Sequence, residues 1–259
     1  MGREIFDIEM ELISKEKYSN TLMLAHYKPV DTTISLPQFK PGQFVQVWIK
    51  GCDGVMLRRP ISIYDGNEQS LSLLIQDAGR GTHMLLDVPI GSRNKMLLPL
   101  GNSFTLPPHD SRPLLIGGGV GIAPLFALGK SLKNRDILPT FLLGARSHNS
   151  FPDLTCFERF GTLLITTEDG SRGERGYVTQ HSYLAEGQYT HIYMCGPTPM
   201  MKAVARWSKM MKIPAQASLE NRMACGIGVC LCCVEPTIVG HKTVCHDGPV
   251  FDVNDLLWE

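Results

Sequence analysis

The chain has 259 residues, 25 Lys+Arg against 25 Asp+Glu, and a formal net charge of zero. That length holds one large domain or two to three small ones, and 43% apolar with 19% charged residues suffices for an ordinary core, which excludes a disordered chain. Balanced charge argues against a nucleic-acid-binding surface, which needs a net basic patch. The N-terminal stretch mixes acids and bases with no apolar run, and Phe6 stands where a myristoylated chain carries Ser or Thr. The longest uncharged run, residues 113–129, is shorter than the ~20 residues of a spanning helix and holds five glycines. A cytoplasmic protein with no membrane span is expected, its cysteines reduced or metal-bound.

In chain order, residues 5–10, 44–49 and 70–75 alternate as strands, with turn signals at Pro41-Gly42, Asp65-Gly66 and Ile90-Gly91. Several short strands at this spacing predict a small antiparallel barrel over residues 1–108, ended by Pro107-Pro108. The rhythm then changes. Residues 113–116 are an apolar strand, followed by a glycine loop and a helix over 123–132. Residues 140–144, 163–167 and 191–195 are further strands, and 199–211 a further helix. This alternation predicts a parallel α/β domain over 109–214. Residues 215–259 are Gly/Cys-rich and loop-like. The zero net charge hides an asymmetry: from Gln216 onward there are six acids and two bases, a net of −4, leaving +4 for the rest.

Five of the eight cysteines fall within the 21 residues 225–245. Cys225, Cys230, Cys233 and Cys245 follow the C-x4-C-x2-C…C spacing of a plant-type [2Fe–2S] site. Two irons need four thiolates on one cramped loop, and Gly226 and Gly228 let the backbone wrap the site and aim N–H groups at sulfur. The competing reading is a four-Cys zinc site, whose cysteines usually come as two close pairs. Cys232 is left over and reads as a small buried side chain, and Cys52 and Cys156 as ordinary thiols.

Three further motifs point to nucleotides. In Arg59-Pro60-Ile61-Ser62, an Arg can bind a diphosphate and a Ser can approach a flavin; the alternative is a plain surface strand. In Gly79-Arg80-Gly81-Thr82, glycines and a hydroxyl can lie against a pyrophosphate at a helix start. Gly117-Gly118-Gly119-Val120-Gly121 joins a strand to a helix, as a pyrophosphate loop does, without the full G-x-G-x-x-G fingerprint. Cys195-Gly196-Pro197 follows another strand and can face a nicotinamide, although Cys195 alone reads as a core thiol. Arg146 and Ser147 leave the choice between NAD and NADP open.

These motifs, in this order over nearly the whole chain, resemble the ferredoxin–NADP reductase superfamily with an appended [2Fe–2S] domain. More closely they resemble the electron-transfer subunits of dihydroorotate dehydrogenase B. The most specific stretches are residues 218–230, with Cys225, Gly226, Gly228 and Cys230, and residues 244–251, with Cys245. The resemblance implies FAD at Arg59, Pro60, Ile61, Ser62, Leu74, Ile75, Gly81 and Thr82. It implies a pyridine nucleotide at Gly118, Gly119, Gly121, Cys195, Gly196 and Pro197, and a cluster on Cys225, Cys230, Cys233 and Cys245. It also implies an FMN-containing catalytic subunit as partner, in a heterotetramer of two chains of each kind, and NAD+ as electron acceptor in pyrimidine biosynthesis. The nearest alternative is the small subunit of NAD(P)H-dependent ferredoxin or sulfide reductases, which often has Asp where this chain has Cys225. The acidic end of the chain is expected near the partner.

Overall fold

The computed structural model describes residues 4–49 and 56–258; Met1, Gly2 and Cys52 lie outside them. Six strands, β1 Phe6–Ser19, β2 Leu22–Pro29, β3 Phe44–Val47, β4 Arg59–Gly66, β5 Leu71–Gln76 and β6 Arg93–Leu100, close into an antiparallel barrel in the order β1-β2-β5-β4-β3-β6. Helix α1, Arg80–Asp87, lies between β5 and β6. Inward residues of each strand, such as Met10, Val45, Val47, Ile63, Leu73 and Ile75, fill the barrel. Register shifts in β1 at Leu12/Ser14 and Lys17/Ser19 bend this long strand around the wall.

Strand β2 departs from simple alternation. It is buried along both faces, its inner side on the barrel core and Leu22 and Leu24 on the neighbouring domain. Segment 59–64, which holds the Arg59–Ser62 motif, lies within barrel strand β4.

The second layer system follows: β7 Pro113–Gly118, α2 Ile122–Lys133, β8 Thr140–Ala145, α3 Thr155–Glu158, β9 Thr162–Thr167, β10 Glu174–Arg175, α4 Tyr183–Glu186, β11 His191–Cys195, α5 Thr198–Met211 and β12 Ala215–Ser218. Strands β10 to β12 and β7 to β9 pair in parallel, as the strand–helix alternation predicts. Beyond them lie a hairpin, β13 Val234–Thr237 with β14 Gly240–Thr243, and β15 Val250–Asp252. The seven-stranded sheet runs β10-β9-β8-β7-β11-β12-β15, with β15 antiparallel at the edge. The C-terminal segment, expected to be loop-like, thus places two short strands on the nucleotide sheet. Their four and three residues carry Ser, Gln and Asp, too short and polar to signal as strands.

Barrel and sheet are joined by specific contacts. Tyr64 stacks on Phe126 of α2 with ring centroids 4.2 Å apart, and Lys130 bonds Asp65 at 2.7 Å. On the other side Asn102 clamps the C-terminal segment: its Nδ2 donates to the carbonyls of Asp247 (2.9 Å) and Val250 (2.8 Å), and its Oδ1 accepts from Val250 N–H (2.9 Å). No helix among the described residues is long and apolar enough to cross a membrane.

A thiol loop and two adjoining cavities as candidate functional site

The four spaced cysteines come together as two pairs. The Cys230 thiol lies beside Cys225, and Cys233 beside Cys245, whose N–H points at Cys233 Sγ (3.4 Å). Among the described residues no three His, Cys, Asp or Glu side chains close on the position of one metal ion. Gly226 and Gly228, at φ +75° and +85°, turn the backbone so that Ile227 N–H points at Cys225 Sγ (3.4 Å) and Gly228 N–H at Cys245 Sγ (3.1 Å). Burial alone would push the Cys225 thiol up. The N–H donors around it, with the Cys230 thiol, outweigh burial and hold it down at about 6. Burial and the adjacent Cys233 push Cys245 up to about 12. Cys232 is exposed, not buried as expected: it sits in the turn after Leu231, whose φ is +57°, with no core behind it. Cys156 is half-buried, 3.2 Å from Tyr64 Oη.

A cavity of about 380 Å³ lies between barrel and sheet. Of the residues that the resemblance assigned to FAD, Pro60, Ile61, Ser62, Leu74 and Thr82 line it. Leu74 and Ile75 part company because strand residues alternate: Leu74 faces the cavity, whereas the Ile75 side chain is in the barrel core. The opposite wall is residues 218–223, a segment that sequence alone attached to the cysteine loop. Arg59 lies across the start of α1. A Cβ at Gly81 would stand 2.3 Å from Arg59 Nε, so only glycine admits the guanidinium there. This pairing of a guanidinium with a helix N-terminus suits a diphosphate. The Thr82 hydroxyl is already engaged, accepting from Ala78 N–H (2.8 Å) and donating to the Gly79 carbonyl (3.0 Å), so it shapes the turn.

A larger cavity, about 830 Å³, opens over the carboxyl ends of the parallel strands. Gly118, Gly119, Gly121, Gly196 and Pro197 line it, with Arg146 and Glu168 on the rim side of β8 and β9. The glycine loop and the 195–197 loop are pressed together: a Cβ at Gly121 would lie 2.5 Å from the Cys195 carbonyl oxygen. The Cys195 side chain is wholly buried in the core, and burial, then the Glu220 charge, push its thiol well above the usual range.

The two cavities share Gln76, Val120 and Glu220. Gln76 lies outside every sequence motif, and Glu220 appeared only as part of the 218–230 stretch, with no role of its own. Solvent in the cleft reaches Glu220, but protein encloses it and this enclosure raises its carboxyl above the usual 4.5. Ionising Glu220 therefore costs stability: the protein is favoured below the usual carboxylate range and loses that advantage as pH rises through the raised value. Glu220→Gln is expected to raise the thermal midpoint at pH 8 and to change nothing near pH 4. An equal gain at both pH values in a melting series would show that the carboxylate ionises as freely as in water.

A closed barrel beside a parallel nucleotide sheet, with a diphosphate cradle and a thiol loop at the seam, defines an oxidoreductase of the ferredoxin-reductase architecture. The fold of a chain from the structure described as "Insights into flavin-based electron bifurcation via the NADH-dependent reduced ferredoxin-NADP oxidoreductase structure" superposes with a TM-score of 0.86 at 29% identity, covering 100% of this chain and 92% of that one. Residues 220–257 match the iron–sulfur cluster binding domain of dihydroorotate dehydrogenase B, and 115–206 the oxidoreductase NAD-binding domain. The "Dihydroorotate dehydrogenase B (NAD(+)), electron transfer subunit" of Geobacillus kaustophilus is 36% identical over 225 residues, 84% of this chain and 87% of that protein. The protein of the same description from Clostridium acetobutylicum is 34% identical over 249 residues, 94% and 98% respectively. The chain belongs to the family of dihydroorotate dehydrogenase B electron transfer subunits.

Proposed function

We propose that this chain passes electrons from the flavin of a dihydroorotate dehydrogenase catalytic subunit, by way of a [2Fe–2S] cluster and FAD, to NAD+. The observation that carries the reading is the adjacency of three sites: the paired thiols, the cavity at the barrel edge and the larger cavity that shares a wall with it. A bound flavin supplies exchange between one-electron and two-electron carriers, which a cluster and a nicotinamide cannot manage directly. The donor set fits: two thiol pairs can serve one iron each, with N–H groups already aimed at the sulfurs.

The residues divide the work. Cys225, Cys230, Cys233 and Cys245 hold the cluster. Arg59, with the α1 N-terminus that Gly81 leaves open, holds the flavin diphosphate. Pro60, Ile61, Ser62 and Leu74 form one wall of the isoalloxazine cavity, Ile75 supports that wall from inside the barrel, and Thr82 fixes the turn. Gly118, Gly119 and Gly121 admit the dinucleotide pyrophosphate at the start of α2, and Gly196 and Pro197 close over the nicotinamide with Cys195 anchoring their loop from beneath. Glu220 borders both cavities, where its carboxyl would stand beside both bound cofactors as a group able to exchange a proton. Three regions carry these tasks: a flavin barrel over 1–108, a nucleotide domain over 109–214 and a cluster domain over 215–259.

The partner is an FMN-containing catalytic chain, in a cytoplasmic heterotetramer of two chains of each kind serving pyrimidine biosynthesis. Its docking face is the cluster loop, where Val229 and Leu231 are 74% and 66% exposed and Ile227 is 41% exposed, an apolar rim unusual for a free surface. The test is co-expression with the catalytic chain. A stable complex with one FAD and about two irons per copy of this chain, reducing NAD+ with dihydroorotate, is the expected result. A chain that ignores the catalytic subunit but reduces ferredoxin from NAD(P)H would instead be a ferredoxin reductase subunit.

A further inference from the structure

We infer that the side-chain amide of Gln46 donates a hydrogen bond into the iron–sulfur centre and raises its reduction potential. The inference rests on reading residues 225–245 as the cluster site. Gln46 is 0% exposed, yet neither its Nε2 nor its Oε1 has a hydrogen-bond partner among the described residues. Buried amides are nearly always satisfied, so this one calls for a partner that the polypeptide does not provide.

Its position says which. Strand periodicity puts Gln46 on the same face of β3 as Phe44, opposite Val45 and Val47, which fill the barrel. Phe44 packs in one core with Cys233 and Cys245. The amide itself abuts the thiol loop: a Cβ on Gly226, the residue after Cys225, would stand 2.8 Å from Gln46 Nε2. On its other side, the ladder partner of Gln46 is Pro60, a wall residue of the smaller cavity. Gln46 therefore stands between the flavin cavity and the cluster loop.

Chemistry completes the argument. Thiolate and sulfide sulfurs around iron are anionic acceptors, and the wholly buried Gln46 amide offers NH2 donors on the inner side of the loop, where water does not reach Gln46. A donor aimed at sulfur favours the reduced cluster, which carries one more negative charge, over the oxidised one, so it shifts the potential upward. A purely packing role would require no polar head and predicts no such shift.

The experiment uses Gln46→Leu and Gln46→Glu in the complete protein, with iron content, a redox titration followed by electron paramagnetic resonance and optical absorbance, and melting of the same proteins after chelator removes the cluster. With iron retained, Gln46→Leu is expected to lower the ratio of reduced to oxidised cluster at a fixed ambient potential about tenfold, about 59 mV for one electron. Gln46→Glu, which has no donor when ionised and adds negative charge, lowers it further, and in Gln46→Leu, which adds no charge, the flavin potential stays in place. In the cluster-free protein Gln46→Leu raises the melting temperature, because it removes an amide with no partner. A Leu variant that melts higher when cluster-free but does not retain iron supports the same role. An unchanged cluster potential with iron retained, or a lower melting temperature of the cluster-free variant, overturns the inference. Absence of iron from the unaltered protein sinks the cluster reading itself.

Discussion

Cys245→Ser is expected to strip the cluster and cut dihydroorotate-dependent NAD+ reduction in the complex by roughly 100-fold or more, the scale on which metal sites respond even to loss of their outer partners. Oxidation of NADH by ferricyanide, which needs only the flavin and nucleotide sites, should persist. The split follows from placement. Cys245 is paired with Cys233 and lines neither cavity, and the Thr243–Asp247 turn holds it locally, with Thr243 N–H and Oγ1 donating to Asp247 Oδ2 at 2.7 and 2.9 Å. A serine fits that turn without disturbing it but replaces a thiolate ligand by a hydroxyl that stays protonated. Cys232→Ser serves as the contrast: Cys232 is exposed and outside both thiol pairs, so the cluster should load in full. Iron assay and the visible spectrum decide the matter. A full cluster in Cys245→Ser would break the assignment of the four ligands.

The four spaced cysteines were legible in the sequence because all of them lie within 21 residues at the spacing of a plant-type [2Fe–2S] site. The nucleotide loop was legible for a related reason, since a strand, a glycine run and a helix are consecutive in the chain. Strands β7, β8, β9 and β11 were marked by short apolar runs, and the barrel by its turns. What stayed hidden is what depends on pairing across long separations. Residues 218–223 looked like the approach to the cysteines, yet they wall the cavity opposite Pro60 and Ser62. Asn102 belongs to none of the motifs, yet it holds residues 247–250 in place. Gln46, a polar residue in a predicted strand, reads as solvent-facing until the fold buries its face against the thiol loop. Leu74 and Ile75 show a difference of another kind: adjacent strand residues were given one role, and the pleat gives their side chains opposite faces.

Gly121→Ala is expected to leave FAD and iron in place while lowering kcat/KM for NADH by roughly 100-fold, the scale of a displacement of about 1 Å at a reacting centre. The added Cβ would lie 2.5 Å from the Cys195 carbonyl oxygen, 2.6 Å from the Cys195 carbonyl carbon and 2.6 Å from the Gly196 Cα. All three are backbone atoms, so no side-chain rotation relieves the clash. The loop that begins α2 and the loop that begins α5 must separate, and between them they hold Gly118, Gly119, Gly196 and Pro197 on the wall of the larger cavity. Forcing a methyl into this packing should also cost about 1–3 kcal/mol of stability. The smaller cavity is bounded chiefly by the barrel and by 218–223, so flavin content is the internal control. Rapid mixing with NADH under anaerobic conditions, read at the flavin absorbance, separates binding from hydride transfer. Wild-type flavin reduction in Gly121→Ala would mean that the two loops tolerate separation and that nucleotide is positioned elsewhere. Loss of flavin together with slow reduction would mean that the loops brace the barrel cavity as well.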